Sequence, residues 1–478
     1  MRKPCSTYCP TERLRNAGVG ILLGLGLWLW ALPGWGQTSA LIVEDIAVEG
    51  VRKTKELVVL RQMTIQPGDT IAAEALDQIR NTNTYNIYNL TLFNDVKITE
   101  EISGDRIYFT VRVKERWYIF PQPYAALAER TFNEWWEDKD LDRLVYGLGV
   151  EWKNVSGWND RMYLYAQNGY TRRLSLQFTR PFLFPQAQID GSFGVFLSND
   201  KEIGYNTVDG VLQLARLQES RIRTSFIGTA TFSKRFGPRR QLQFNFGYLY
   251  YHLQDSIRIF NPRYLTRDAN EEYYPTVGIS WVEDQRDWHS FPLEGLKYSA
   301  SVRLRGLPGL GTTRFVKATL SFSHHLPLSK RWNFAYGTQN FFLFGDRVPY
   351  YDKFFVGLGN SFLRGYEYFV IDGSFVNLTK AEWKFALLPR RIVHVPWIPF
   401  RRFQDFPVGL YISAYSDAGY VSDRTFNNQD NYLKDRWLLG YGVGLNLITV
   451  YDSLFRLEYS RNLLGFGGIY LSAIVSIQ

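Results

Sequence analysis

The chain has 478 residues, a formal net charge of +9, 17% aromatic residues, 39 glycines, three methionines and two cysteines. That length allows a large core or several modules, and the charge is too small for a chain of this size to signal nucleic-acid binding. No stretch beyond residue 40 holds roughly 18 uncharged apolar residues in a row, which excludes a bundle of membrane-spanning helices there.

Residues 1–36 read as a secretory signal peptide. Arg2, Lys3, Arg13 and Arg15 form a basic start, residues 17–32 are apolar and uncharged, and Pro33-Gly34-Trp35-Gly36 supplies a break with small residues. The competing reading, a single membrane anchor, fits less well because the run is short and glycine-rich. Removing four cations and one carboxylate with the leader brings the charge from +9 to about +6. Both cysteines, Cys5 and Cys9, lie in the leader, so the mature chain needs no disulfide and has no thiol chemistry.

Residues 37–115 predict a compact α+β module. A strand carries Ile42, Ile46 and Val48. A helix follows over Lys53 to Met63, and Pro67-Gly68-Asp69 breaks it. Thr70 is placed to cap a second helix over Ile71 to Arg80. Two strands, from Phe93 to Ile98 and from Ile107 to Val113, close the order β-α-α-β-β around the turn Ser103-Gly104-Asp105.

From residue 116 to 478 the pattern changes to strict alternation. Leu242, Phe244, Phe246, Tyr248 and Tyr250 alternate with polar or small residues; so do Val316, Ala318, Leu320 and Phe322, and Trp437, Leu439, Tyr441, Val443, Leu445 and Leu447. A strand sends successive side chains to opposite faces, so each run has one bulky apolar face and one small or polar face. These runs are about 10–13 residues long, near the roughly 9–11 of a tilted membrane strand and well above the soluble average. A secreted chain that enters a membrane with such strands must close them into a barrel. Sixteen or seventeen candidate strands fit the region. Short turns at 183–186 and 236–238 alternate with long loops at 254–272, 344–371 and 389–406, the last read as an outward cap carrying Arg390, Arg391, Arg401 and Arg402.

Signals for catalysis, a metal or a cofactor are weak. The five histidines are scattered, and no phosphate-binding loop, zinc-protease or nucleophile-elbow motif occurs. One loop stands apart. Residues 353–371 (KFFVGLGNSFLRGYEYFVI) are too apolar to lie exposed, so the loop is expected to fold into the lumen as a plug. Arg364 would go with it and needs buried carboxylates; Glu382 and Asp417, on the two following strands, are the candidates. The plainer alternative is a surface Arg beside a turn Gly. Gly440, Gly442 and Gly444 would then face the lumen and leave room for the loop, and a bulky residue at Gly442 is expected to disturb that loop more than the lipid contact.

Leu363-Arg364-Gly365-Tyr366 resembles the V-R-G-F/Y tip of the sixth extracellular loop in the BamA/TamA superfamily, the bacterial surface-antigen family. Asp284-Gln285-Arg286-Asp287 with Phe291-Pro292 and Gly295 resembles its strand-ending D-x-R-D…P-x-x-G motif, and Asn154-Val155-Ser156-Gly157 its N-x-x-G turn. The α+β module resembles a POTRA (polypeptide-transport-associated) domain, present once here, where BamA carries five and TamA three. The resemblance implies a sixteen-stranded antiparallel outer-membrane β-barrel with its POTRA domain in the periplasm of a Gram-negative-type bacterium. It further implies a loop held by Arg364 against Glu382 and Asp417, and no enzyme activity. The expected role is insertion or export of β-rich proteins. Unfolded barrel or secreted clients, the lipid bilayer and accessory lipoproteins would be its partners. A secretion channel for one dedicated partner, or an exporter of lipid or surface components, are the alternatives.

Overall fold

The computed structural model describes residues 40–127, 143–216, 221–267, 269–345, 347–358, 362–397, 404–423, 431–449 and 453–474. The expected leader, Arg401 and Arg402 lie outside them.

The N-terminal module contains β1 (Ala40–Glu49), α1 (Glu56–Leu60), β2 (Thr70–Ala72), α2 (Leu76–Tyr88), β3 (Phe93–Ser103) and β4 (Arg106–Glu115). Its sheet order is β2-β1-β4-β3, with β1 parallel to β4. The alternation of Ile107, Phe109, Val111 and Val113 places one face of β4 in the core, against Leu41, Val43 and Ile46 from β1. Both helices differ from the sequence expectation. The first is trimmed to one turn and a half. The second starts at Leu76, because Thr70–Ala72 pairs antiparallel with Ala40–Ile42 instead of capping a helix. Strand pairing across the module thus overrides the local capping signal. Gly68 makes the turn before β2: its φ is +95°, and its N–H donates to the Val43 carbonyl at 2.7 Å.

Among the described residues beyond the module, sixteen strands form one antiparallel sheet. These are β5 (Ile119–Leu127), β6 (Leu144–Lys153), β7 (Arg161–Gly169), β8 (Arg172–Phe184), β9 (Ile189–Asp200), β12 (Arg223–Arg235), β13 (Arg240–Leu253), β14 (Glu271–Asp284), β15 (Gly295–Leu307), β16 (Leu310–Pro327), β17 (Trp332–Phe344), β20 (Phe375–His394), β21 (Asp405–Ser422), β22 (Trp437–Thr449), β23 (Ser453–Asn462) and β24 (Gly467–Ile474). Between them, β10 (Glu202–Val208) and β11 (Val211–Arg216) form a separate hairpin. So do β18 (Phe354–Val356) and β19 (Ile371–Gly373) inside the long loop before β20. The end strands β5 and β24 each carry one ladder among the described residues.

The alternation seen in sequence becomes two unlike faces of this wall. On β22, Trp437, Tyr441 and Val443 are 63%, 48% and 54% exposed, whereas Leu438, Asn446 and Ile448 are buried. On β24, Ile469 and Leu471 are likewise exposed. Such a continuous outward apolar surface suits lipid, not water.

The chain enters β5 from the module, so the ends of even-numbered hairpins can be counted along the wall. By that count the described residues 389–397 and 404–406 lie at the module-side rim and are not an outward cap. Strand β20 runs on to His394, and the Arg390 guanidinium packs 3.9 Å from the Trp288 ring and 4.8 Å from Tyr88 of α2. A strand end that packs on Tyr88 of the module cannot face the distal rim.

Candidate functional site

The loop before β20 folds into the lumen, and strand register explains where it lands. Three rows cross the inner face of β20, β21, β22 and β23. Lys380, Asp417, Gly440 and Asn462 form the first; Glu382, Tyr415, Gly442 and Ser460 the second; Lys384, Ser413, Gly444 and Glu458 the third. The central column is therefore glycine, and the absent side chains leave a groove in the wall. A Cβ at Gly440 would stand 1.8 Å from the Arg364 carbonyl oxygen, so the loop tip rests directly on this glycine. The loop turns there at Gly365, whose φ of +90° favours glycine. Asn462 Nδ2 donates to the Gly365 carbonyl at 2.6 Å and fixes the turn.

In this groove the Arg364 fork meets Asp417. Nε donates to Oδ2 at 2.8 Å and Nη2 to Oδ1 at 2.6 Å; the Arg364 backbone N–H adds a third contact at 3.3 Å. Glu458 Oε1 lies 3.6 Å from Nη1, and the guanidinium stacks 3.7 Å from the centre of the Tyr415 ring. Tyr415 in turn shares a 2.8 Å hydrogen bond with Ser460, whose hydroxyl donates to Glu367 of the loop. Asp417 is fully buried, so its charge depends on this bidentate partner. Glu382 lines the adjoining cavity of about 250 Å³ with Arg364, Lys380 and Arg456. It sits one row from Asp417, on the row that the Tyr415 ring fills, and acts on Arg364 through space, while the carboxylates at ion-pair distance are Asp417 and Glu458. Tyr366 is buried with Leu363, Leu378, Val421 and Leu438.

Strands β14 to β16, beyond β17 along the same wall, hold the loop by reversed charge. Buried Asp352 accepts from Lys317 Nζ of β16 and from the Tyr274 hydroxyl of β14 at 2.8 Å, with Arg305 of β15 3.7 Å away. Next to it, buried Lys353 donates to Asp372 at 2.8 Å and to Asp423 at 2.6 Å. The loop is thus a strut: its anion meets cations of β15 and β16, and its cation meets anions of β21 and β23.

The second sequence motif is a turn at the module-side rim. Arg286 binds Asp284 bidentately, Nε to Oδ1 at 2.8 Å and Nη2 to Oδ2 at 2.7 Å. Asp287 Oδ1 accepts from the Leu293 and Glu294 N–H groups, which closes the turn over residues 287–294. Gly295 has φ +99°, and a Cβ there would stand 2.3 Å from the Gln285 carbonyl oxygen. Pro292 presents its carbonyl to Lys384 Nζ at 3.2 Å. The closed turn pushes Trp288 and Phe291 into a core shared with the module and with Tyr411, Ile448 and Leu454 of the barrel.

A model of the Omp85 superfamily domain matches residues 154–462, and a POTRA model, described as a surface antigen variable number repeat, matches residues 41–116. The chain belongs to the Omp85 superfamily. Its barrel is accordingly an outer-membrane barrel, its module a POTRA domain in the periplasm, and the module-side rim the periplasmic one. Among solved structures, BamA from Haemophilus ducreyi lacking POTRA domains 1–3 is similar, with TM-score 0.51 and 16% identity over 91% of this chain and 85% of that one. CdiB from Escherichia coli is similar with TM-score 0.52 and 13% identity, over 91% and 75%. At these identities the likeness concerns the fold. Against curated protein sequences the chain finds no match.

In this Omp85 barrel the POTRA domain is docked, not tethered. Asn154, in the turn after β6, donates to Thr54 Oγ1 at 2.9 Å, and Lys55 N–H donates to the Gly157 carbonyl at 3.0 Å. Asn89 of the POTRA domain donates to the Asp287 carbonyl at 3.2 Å, and Arg61 packs 4.0 Å from the Phe182 ring. Glu115 ties the 52–54 segment by accepting its three N–H groups, the shortest from Thr54 at 2.8 Å. Sequence reading missed Glu458, Asp352 and Asn89. The first two are single acids on ordinary alternating or aromatic segments, visible as partners only once register and loop path are known. The third sits in an Asn- and Tyr-rich stretch that has no meaning until it meets a barrel turn.

Proposed function

We propose that this Omp85 protein inserts or exports β-rich client proteins at the outer membrane by strand addition, with the Arg364 loop as a fixed internal brace. One observation carries this reading: the lumen holds a loop pinned by opposite charges to two stretches of the wall, and the POTRA domain packs on the periplasmic rim. That arrangement disfavours a wide passive pore. The edges that remain for a client are β3, at the rim of the POTRA sheet, and β5 and β24, each with one ladder among the described residues. An unpaired strand edge offers N–H and C=O groups that an extended client can complete.

Depletion followed by quantitative outer-membrane proteomics tests it. The abundance of several other barrel proteins should fall together. Loss of a single secreted protein would favour the dedicated-partner alternative, altered lipid asymmetry with normal protein content would favour lipid export, and an unchanged proteome would contradict the assembly role.

A further inference from the structure

A second cavity, of about 320 Å³, lies at the periplasmic rim between α2 of the POTRA domain, the 236–239 turn and the Asp284–Arg286 turn. Arg161, Arg235, Arg239, Arg240, Arg286 and Lys297 all line it, against one acidic lining residue, Asp284. Three carboxylates answer three of these cations: Asp284 holds Arg286, Asp190 holds Arg235 at 2.6 Å, and Glu283 holds Arg240 at 2.9 Å. Lys297 reaches only Asp284, at 3.8 Å, and that carboxylate is already taken bidentately. Among the described residues, Arg161 and Arg239 have no carboxylate at ion-pair distance. Arg161 donates to Thr91 Oγ1 at 3.5 Å and Arg239 to Asn86 Oδ1 at 3.3 Å, so each has unused donors of its five.

Glu151 acts on Arg161 from beyond ion-pair distance, so six cations face four carboxylates, and such an excess of positive charge in a partly enclosed space creates a potential that draws an anion in. Burial lowers the pKa of the neighbouring His289 most; Asp284 raises it, and Arg286, Lys297 and Arg239 each press it down. The guanidinium fork matches the oxygens of a phosphate better than a point charge does. The 236–239 turn borders this inner-face cavity and also reaches the outer face of the wall. Phe236 of the turn is half-exposed and its ring lies 5.8 Å from Trp281, on the outward face of β14, an aromatic pair of the kind found at membrane interfaces.

We propose that this cavity binds a phosphate ester group, with Arg161 and Arg239 as its primary ligands, and that the group is the headgroup of a phospholipid in the periplasmic leaflet. The test uses the full chain in detergent, with phosphatidylglycerol, diacylglycerol and inorganic phosphate as probes and native mass spectrometry as readout. The wild type should retain phosphatidylglycerol but not diacylglycerol, millimolar phosphate should displace it, and R161Q/R239Q should lower retention about tenfold. Retention of inorganic phosphate without lipid would support the oxyanion site and overturn the lipid source. Equal retention of phosphatidylglycerol by both proteins would overturn the site. If the double variant loses its folded gel mobility, a phosphatidylglycerol with a photoreactive headgroup decides on the wild type: labels at 236–241 and 285–297 support the proposal, and labels confined to other segments overturn it.

Discussion

Arg364 and Asp417 form the most exacting pair of residues in the barrel, because Asp417 has no access to water and accepts both arms of one guanidinium. Removing one partner of a buried pair leaves the other charge uncompensated, so Arg364→Ala should destabilise the folded barrel by about 3–5 kcal/mol. Arg364→Lys, which keeps the charge without the fork, should fall between it and the wild type. The midpoint of the heat-induced gel-mobility shift measures both. Gly440 gives a second residue-scale expectation. Gly442 is the weaker position for probing the loop, since the space above it belongs to the Tyr415 hydroxyl and the Tyr459 carbonyl. Gly440→Leu should therefore expose the 344–371 region to protease, with the barrel's heat-modifiable mobility kept. In the POTRA domain, burial alone would raise the Glu115 pKa, but N–H donors from Thr54, Arg52 and Lys53 outweigh it and hold it below the usual carboxylate value. A lowered folded pKa gives stability that is complete above the unfolded value and is lost as pH falls through the folded one. Hydrogen exchange of residues 50–55 should thus accelerate below about pH 4.5 in the wild type, and in Glu115→Gln it should be fast and flat across the same range. The Arg364 tip was legible because an arginine amid seven aromatic and apolar residues is costly unless folded inward. Its full partner set was not, since Glu458 enters only through the β22–β23 register.

At the scale of elements, the 284–295 turn does the joining. Asp284 and Asp287 spend their hydrogen bonds inside the turn, on Arg286 and on the Leu293 and Glu294 N–H groups, and the closed loop delivers Phe291 to within 4.9 Å of the Tyr411 ring. Phe291 is buried between POTRA domain and barrel. Phe291→Ala should cost about 3–5 kcal/mol at that interface. Limited proteolysis should then cut between residues 115 and 119 faster, while the barrel alone keeps its heat-modifiable mobility. Uniform cleavage in both proteins would mean that the docking rests on other contacts. The strands themselves were readable from period-two alternation, because each faces lipid on one side and a polar or loop-filled lumen on the other. Helix positions in the POTRA domain were not, because β2 competes for Thr70–Ala72 through a ladder to β1 that no local signal announces. The 389–406 segment was misplaced for a related reason: its arginines look like a solvated cap until Arg390 is seen between Trp288 and Tyr88.

For the whole molecule, the account joins a docked POTRA domain, a strut across the lumen and a wall whose two end strands each carry one ladder among the described residues. The strut also touches the last strand: Tyr368 of the loop packs 5.8 Å from the Tyr470 ring on the inner face of β24. A brace of this kind can stay in place while a client strand adds to the edge of β24, whereas passage through the lumen would require it to leave. No cysteine occurs after Cys9, so a pair introduced in the barrel can be tied without background from its strands and loops. The most direct test is the rate at which an unfolded outer-membrane barrel inserts into liposomes containing Tyr368→Cys/Tyr470→Cys, bridged by a short reductant-cleavable thiol cross-linker. The account predicts the same acceleration over protein-free liposomes with the bridge closed or cleaved. Insertion no faster than in protein-free liposomes, or accelerated only after cleavage, would contradict it.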